Sequence, residues 1–295
     1  MWGLESYLGK SKIQNPAYYY FQDLSANEYG ELLSKVQEHL AGELLQSGPH
    51  RKVDWEKGWG DNLRKFRLDF TTDATIPGYF DKSKILRWKQ RWIRPMDPKL
   101  EQKLLGILVD SLLESFAVDS STIYEFGCGT GHHLFRVREK FPLKKLIGLD
   151  WATSSQKVIE EFAMISRDEN LFAANFDFFS PNYDLNIDQN ATFLTVASLE
   201  QVGSNFHDFV DYILTTKPNI VINIEPMQEF LDSENLLDNL SILYCSKRNY
   251  LSGYFDYLVE LQRQGKVQIH HSTRSFLGSL YIDGYSIVVW SPREL

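Results

Sequence analysis

One glycine-rich segment of the sequence, running from Glu125 to Gly131 as E-F-G-C-G-T-G, has residue types and spacing suited to binding a ligand. It follows an apolar run, Thr122–Phe126, and precedes a helical candidate at His132–Lys140. Glycines at a strand-to-helix turn let the backbone come close to a ligand and adopt conformations that a Cβ atom opposes. The free N–H groups at the start of the helix can bind an anion or a carboxylate. The segment therefore predicts a cofactor-binding turn.

The spacing of the three glycines separates two classes of cofactor. Dinucleotide-binding turns have the pattern G-x-G-x-x-G. Here the third glycine, Gly131, comes one position early, and His132 occupies the position that the pattern gives to glycine. Asp150 follows Gly129 by 21 residues and ends the apolar run Lys145–Leu149, where its ionised carboxylate could accept hydrogen bonds from both hydroxyls of a ribose. NAD-dependent enzymes share this arrangement, so Asp150 alone does not decide between the two classes.

The form E-x-G-x-G-x-G resembles the first motif of class I S-adenosylmethionine-dependent methyltransferases, here of the small-molecule type. The resemblance covers roughly residues 100 to 295. It implies a Rossmann-like fold and S-adenosylmethionine as the methyl donor, with S-adenosylhomocysteine as the product. The cofactor-binding residues that it implies are Glu125, Gly127, Gly129, Gly131, Asp150, Trp151, Asp177, Phe178 and Leu199.

The resemblance also implies roles for the residues outside the glycine turn. Glu125 would orient the amino end of the cofactor or accept from the N–H groups of the turn itself. An acid followed by an aromatic residue, as at Asp177, matches the adenine site of the family. Trp151 either stacks on the adenine or covers the edge of the sheet. The segment Thr195–Gln201 ends the fourth strand, where the family places residues beneath the sulfur of the methyl donor.

Methyl transfer to an oxygen or to an activated carbon needs a base near the acceptor. The candidates are Glu200, Glu225, His270 and His271, together with an N-terminal tyrosine. The fourth strand ends in Ser-Leu-Glu and lacks the Asn/Asp-Pro-Pro-Tyr signature that the family uses for exocyclic amines. The sequence therefore favours methylation of oxygen or carbon over methylation of nucleic-acid bases.

The order of the apolar runs predicts the elements that position these residues. From Ser120 onward, short apolar runs alternate with amphipathic stretches, which is typical of a parallel α/β sheet. The last two runs, Val267–His271 and Ser286–Trp290, are too close in sequence for a helical crossover and predict an antiparallel hairpin. The predicted fold class is α/β, with a Rossmann-like, mostly parallel sheet of seven strands and a C-terminal antiparallel hairpin after an N-terminal helical cap.

The N-terminal residues 1–119 have a different pattern, with little strand signal. Ser25 and Glu28 form a capping box, and apolar stripes of helical period follow it. We therefore expect a mostly helical cap or lid over residues 1–119 and a cofactor-binding core over residues 120–295. Within the cap, the stretch from Lys82 to Arg94 interleaves six basic residues with aromatic ones. It either attracts an anionic group, such as an acceptor or the cofactor carboxylate, or forms the solvated face of a lid helix.

Composition and charge limit the partners. The chain has 39 acidic against 31 basic side chains and a net charge of −8, which argues against a nucleic-acid partner. Two cysteines cannot build a disulfide framework or a structural zinc site, and the adjacent His132 and His133 point in different directions, so no metal is expected. No apolar run approaches about 18 residues, and no signal peptide is visible. We expect a cytoplasmic protein without a membrane partner.

These patterns predict methyl transfer from S-adenosylmethionine to a small-molecule acceptor, such as a sugar, a nucleotide sugar or a natural-product-like metabolite. The acceptor could be anionic because of the basic stretch in the cap. Two alternatives remain open. One is a methyltransferase-fold binding or regulatory subunit without catalysis. The other is a dinucleotide-dependent oxidoreductase, which His132 and the closing hairpin oppose.

Overall fold

The computed structural model describes residues 21–80 and 84–293 of the chain. The strands in this part are β1 (Phe21–Asp23), β2 (Leu86–Trp88), β3 (Arg91–Pro95), β4 (Thr122–Phe126), β5 (Lys145–Asp150), β6 (Leu171–Asn175), β7 (Ala191–Val196), β8 (Ile220–Glu225), β9 (Val267–Arg274), β10 (Leu277–Gly278) and β11 (Ser286–Pro292). The helices are α1 (Ala26–Ala41), α2 (Lys52–Asp69), α3 (Leu100–Phe116), α4 (His132–Lys140), α5 (Thr153–Ser166), α6 (His207–Thr216), α7 (Leu236–Arg248) and α8 (Tyr254–Arg263).

Seven of these strands form the central sheet, in the order β6-β5-β4-β7-β8-β11-β9. The five strands from β6 to β8 are parallel, and β11 lies antiparallel between β8 and β9. The predicted mostly parallel sheet with a closing antiparallel hairpin is therefore confirmed. From β4, the chain first adds β5 and β6 on one side and then adds β7 and β8 on the other side. The strand order therefore reverses between β4 and β7. Ligands of such sheets bind at the carboxyl ends of the strands beside this reversal.

Two layers of apolar side chains enclose the central sheet. Successive strand residues point to opposite faces, so that Ile123 and Leu194 pack in one layer, and Tyr124 and Phe193 in the other. Helix α3, which precedes β4, packs its buried leucine side chains into the first layer. Burial on both faces explains why the strands read as continuous apolar runs in the sequence.

The N-terminal region contains strands that the sequence analysis did not predict. β1, β3 and β2 join β10 in a four-stranded antiparallel sheet. The β2–β3 hairpin turns at Lys89 and Gln90, whose φ angles are +51° and +59°. Such two-residue turns usually contain Asn-Gly or Asp-Gly, and the absence of that signal explains why the hairpin was missed. The interpretation of the basic stretch as one face of a helix is therefore wrong.

Helix α2 lies beside α5, and polar contacts join the two. The Glu56 carboxylate accepts from the backbone N–H groups of Thr153 (2.7 Å) and Ser154 (3.0 Å), the first two residues of α5. Arg67, near the other end of α2, forms a bidentate ion pair with Glu161. Since Thr153 comes three residues after Asp150, these contacts hold α2 above the carboxyl end of β5.

Two glycines lie within the continuous helix α2, one on either side of Trp59. A Cβ atom at Gly58 would meet no other atom within 4 Å, and one at Gly60 would meet only the end of the Arg64 side chain, at 3.8 Å. Close packing therefore does not require glycine at either position. Among the described helices, none is long and apolar enough to cross a membrane.

Candidate functional site

The glycine turn connects β4 to α4 at the carboxyl edge of the sheet. Gly127, Gly129 and Gly131 have φ angles of +66°, +54° and +73°, a region that residues with a Cβ atom rarely adopt. At Gly127 a Cβ atom would also lie 2.5 Å from the Cβ atom of Ser198. The backbone conformation favours glycine at all three positions, and the nearby Ser198 side chain also requires it at Gly127. These are the properties that a ligand-binding turn is expected to have.

Asp150 lies beside this turn, at the end of the adjacent strand β5. One oxygen of its carboxylate accepts from the backbone N–H of Gly129 at 2.9 Å, and the other accepts from Ala152 at 2.8 Å. Burial raises the pKa of the Asp150 carboxyl to about 6. Each carboxylate oxygen can accept more than one hydrogen bond, so Asp150 keeps acceptor capacity for a ligand after holding the turn.

A cavity opens in front of Asp150 and Gly127, with about 510 Å³ of empty space that includes part of its opening to solvent. The walls of this cavity are largely apolar, as is common in small-molecule sites. Within residues 21–80 and 84–293, six aromatic residues line it, namely Trp55, Trp59, Trp151, Phe176, Phe178 and Phe179. The structure thus brings Gly127, Asp150, Trp151 and Phe178 of the predicted set into one cavity.

Asp177 lies in the loop after β6, two residues past the end of that strand at Asn175. One Asp177 oxygen accepts from the backbone N–H of Phe179 at 3.0 Å, a local bond typical of the turns that follow strands. The other oxygen is 3.5 Å from Nζ of Lys52, which also lies over the Trp151 ring, 5.6 Å from its centroid. Asp177 therefore lies next to the aromatic end of the cavity, with a lysine of α2 in contact.

Glu125 is buried within β4, just before the glycine turn. Its side chain is 2% exposed, and its Oε2 atom has no hydrogen-bond partner among the residues that the structure describes. Burial, reinforced by the nearby Asp150 charge, raises the pKa of the Glu125 carboxyl well above its ordinary value. A buried carboxyl oxygen without a donor is unusual in a folded protein and suits a ligand that brings one.

Glu225 does not fit the predicted role of a base that faces an acceptor. Its carboxylate accepts from the backbone N–H groups of Ser198, Leu199 and Glu200 at 3.1–3.2 Å. Its side chain is fully buried, with 0% exposure. Glu225 is thus committed to holding the loop after β7, and the expectation of a catalytic Glu225 is corrected to a structural one.

The loop that Glu225 holds carries two other predicted residues. Leu199 is fully buried among apolar side chains of the core, so its side chain faces the protein interior. Glu200 accepts from Nε2 of Gln201 at 2.8 Å, and Gln201 lines the cavity. Burial and the neighbouring Glu225 raise the pKa of the Glu200 carboxyl to about 8. Of the four predicted bases, Glu200 is the one whose immediate neighbour reaches the cavity.

His270 and His271 lie away from the cavity, on the edge strand β9. His271 pairs with Val289, which pairs with Ile222 in the middle of β8, so this level is below the carboxyl edge of the sheet. Five strand spacings separate β9 from β5, or about 24 Å. His270 is exposed and bonds to Ser291 Oγ at 2.8 Å. The prediction that either histidine acts as a base at the site is therefore corrected.

The arginines of the basic stretch are engaged in the N-terminal sheet rather than in the cavity. Arg87 is 2% exposed and donates to the backbone carbonyl groups of Leu237, Leu280 and Tyr281. Arg91 pairs with Asp23 at 3.2 Å, and Arg94 pairs with Glu28 at 2.9 Å. The expectation that Arg91 or Arg94 reaches a cofactor carboxylate is corrected, because each has an acidic partner nearby. Lys82 lies outside the described residues.

Sequence reasoning missed Trp55 and Trp59, the two cavity residues that α2 contributes. They are four residues apart, a spacing that places both on one face of a helix. That spacing was visible in the sequence, but nothing in it indicates that α2 lies against the glycine turn some 70 residues later in the chain. The Glu56 contacts that dock α2 become visible only in the fold.

Comparisons with known proteins support the fold. Models of protein families and curated protein sequences give no match to this chain. Among solved structures, the cyclase SpnF is 14% identical, covers 85% of this chain and 98% of its own, and has a TM-score of 0.53. Geranyl diphosphate C-methyltransferase from Streptomyces coelicolor A3(2) is 11% identical, with 68% and 86% coverage and a TM-score of 0.47. The methyltransferase domain of bacterial CtHen1 is 16% identical, with 64% and 98% coverage and a TM-score of 0.48.

The order and directions of the central strands are those of the Rossmann-like sheet that the sequence resemblance implied, and the SpnF structure shares this fold. The 14% identity to SpnF shows a shared fold and no more. Function has to be argued from the residues of the site itself.

Proposed function

We propose that the protein binds S-adenosylmethionine in the cavity at the glycine turn and transfers its methyl group to a small-molecule acceptor, at oxygen or at carbon. One observation carries this proposal. The Asp150 carboxylate and Gly127 open into the same aromatic cavity, at the point where the strand order of the sheet reverses. This is where α/β folds of this kind bind nucleotide-like ligands.

The residues of the cavity fit such a cofactor chemically. Asp150 can accept from the two ribose hydroxyls, since its carboxylate only accepts. Trp151 and Phe178 offer apolar faces for the adenine, with Asp177 close by to accept from its exocyclic amine. Glu125 has a buried oxygen without a partner in the described residues, which suits the ammonium group of the cofactor. Of the three glycines in the turn, Gly127 lines the cavity and lets the backbone come close to a ligand.

The chemistry divides between the cofactor and the chain. When bound, S-adenosylmethionine supplies a methyl group that its sulfonium activates toward a nucleophile. The chain positions donor and acceptor, which is a large part of catalysis for a displacement of this kind. We assign to Glu200 the role of taking the proton from the acceptor. A carboxyl whose pKa is about 8 is a stronger base than an ordinary carboxyl once it is ionised, so Glu200 would act at a pH near or above 8. It lies on the loop that borders the cavity.

The acceptor in this proposal is a small molecule, such as a sugar, a nucleotide sugar or a natural-product-like metabolite. The net charge of −8 supports a small acceptor over a nucleic-acid polymer. The arginines of the basic stretch have partners of their own, so they give no support to an anionic acceptor. We further propose that residues 120–295 carry the cofactor fold and that residues 1–119 cover the site, as Trp55 and Trp59 already do in part.

Two binding titrations test the cofactor assignment. Isothermal titration calorimetry with S-adenosylhomocysteine should give saturable binding, and the same titration with NAD should give none. Binding of NAD without binding of S-adenosylhomocysteine would overturn the proposal and favour the oxidoreductase alternative. The spacing of the glycine turn is the feature that predicts the first result.

A second experiment tests catalysis separately from binding. Methyl-labelled S-adenosylmethionine is incubated with the protein and a panel of sugars, nucleotide sugars and phenolic metabolites, and label is traced into the acceptor. Transfer in the wild type that falls at least tenfold in Glu200→Gln supports the proposal. Tight binding of S-adenosylhomocysteine with no transfer to any panel member contradicts it and favours a non-catalytic binding subunit or another reaction on the same fold.

A further inference from the structure

The indole rings of Trp55 and Trp59 are placed together at the cavity rather than in the hydrophobic core. Their ring centroids are 5.4 Å apart and the rings are stacked. Both side chains are half-buried, whereas Leu63 and Phe66, further along α2, are buried in the core. The same face of α2 therefore packs into the protein at one end and lines the cavity at the other.

Trp59 lies directly on the glycine turn. A Cβ atom at Gly129 would be 2.9 Å from Cζ2 of Trp59, which means that the indole is in close contact with the backbone there. The absence of a side chain at Gly129 is what lets the indole come this near. A ligand held by the turn and by Asp150 would therefore meet this ring.

Polar contacts fix α2 to the parts of the fold that bear the predicted cofactor residues. The Glu56 carboxylate accepts from two N–H groups at the start of α5, and the Ser154 hydroxyl donates to the Glu56 carbonyl at 3.0 Å. Lys52 reaches toward Asp177. These contacts alternate along the helix with Trp55 and Trp59, so docking α2 also sets the position of both indoles.

We propose that Trp55 and Trp59 form a wall of the cofactor site and contact the bound cofactor with their rings. This inference rests on the proposed function. It assigns cofactor binding to a helix outside residues 120–295, and so makes the N-terminal region part of the site rather than only its cover. An aromatic ring buries a large apolar area on contact with a ligand, so loss of either ring should weaken binding measurably.

The test compares Trp59→Leu and Trp55→Leu with Trp88→Leu. Trp88 is also half-buried, but it lies in β2, outside the cavity. Affinity for S-adenosylhomocysteine is measured by calorimetry on the full chain, below the melting temperature of each variant. Each α2 variant should bind at least tenfold more weakly than the wild type, and Trp88→Leu should stay within twofold. Affinities of the α2 variants within twofold of the wild type overturn the inference.

A second measurement applies if a leucine variant fails to fold. Acrylamide quenching of tryptophan fluorescence is recorded with and without S-adenosylhomocysteine for the wild type and for Trp59→Phe. The ligand should shield the wild type from acrylamide, and the phenylalanine variant should lose part of that shielding. Equal shielding in both proteins overturns the inference. If the wild type does not bind S-adenosylhomocysteine, the proposed function itself fails, which is a distinct result.

Discussion

Asp150 and Glu225 end two strands of the same sheet. The Asp150 carboxylate holds the glycine turn, and the Glu225 carboxylate holds the loop that follows β7. Asp150 accepts from two backbone N–H groups and still faces a cavity. Glu225 accepts from three backbone N–H groups and is fully enclosed. The two residues therefore differ in what surrounds them rather than in residue type or in place along a strand.

This difference shows when an acidic strand end becomes a ligand site. The turn beside Asp150 contains three glycines, and a cavity lies in front of the Asp150 carboxylate. The loop beside Glu225 wraps around the carboxylate with three consecutive N–H groups and leaves no space. Neighbouring residues thus decide whether a carboxylate binds a ligand or its own chain.

The largest effect that we predict is on stability, at Glu225. Replacing Glu225 with Ala leaves three buried N–H groups without an acceptor, and each costs about 1–3 kcal/mol. Glu225→Ala should therefore lower the free energy of unfolding by about 3 kcal/mol or more in urea titrations. Glu225→Gln keeps one acceptor oxygen and should lose less. A loss below about 1 kcal/mol in Glu225→Ala would show that the loop does not depend on this carboxylate.

The second effect is on binding, at Asp150. Asp150→Ala removes the proposed acceptor for the ribose hydroxyls and one anchor of the turn. Affinity for S-adenosylhomocysteine should fall by about tenfold or more, which is about 1.4 kcal/mol. His270→Ala, on the edge strand, is the control and should leave affinity unchanged. An equal loss in both variants would contradict the placement of the site at β5.

The smallest effect concerns the pH dependence of binding. The pKa of Asp150 is about 6 in the free protein, so its carboxylate is ionised above that pH and protonated below it. A ligand that needs the ionised form should bind with full affinity at pH 8 and lose up to about tenfold by pH 5. Calorimetry with S-adenosylhomocysteine across this range measures the loss. Asp150→Asn should bind weakly at all pH values, and a pH dependence that survives in it would assign the titration to another group.

The sequence predicted those features of the Asp150 region that depend on local sequence pattern. The strand runs, the glycine spacing and Asp150 at the end of β5 follow from periodicity and from residue type within short windows. The boundaries of β4 and β5 were also close to those observed, since burial on both faces makes the runs continuous. β9 extends three residues past its predicted run. The place of Asp150 beside the turn follows from the parallel pairing of β4 with β5.

What the sequence could not predict depends on contacts between distant segments. The role of Glu225 depends on N–H groups about 25 residues earlier in the chain, which no local pattern reveals. The role of Arg87 depends on carbonyl groups at Leu237 and Leu280. Because the Arg87 guanidinium is buried against these groups, it is not available to bind an anionic ligand. The position of α2 depends on Glu56, and nothing in the sequence distinguishes this residue from a solvent-exposed glutamate.

The glycines on either side of Trp59 have a consequence for how the cavity opens. Each glycine within a helix weakens it by about 1 kcal/mol relative to alanine, and packing requires neither Gly58 nor Gly60. The backbone amides of this helical turn should therefore exchange their hydrogens with solvent sooner than those around Phe66, which the core protects. Opening of this helical turn alone would move Trp59 away from Gly129, while Asp150 stays in place on the paired strand β5.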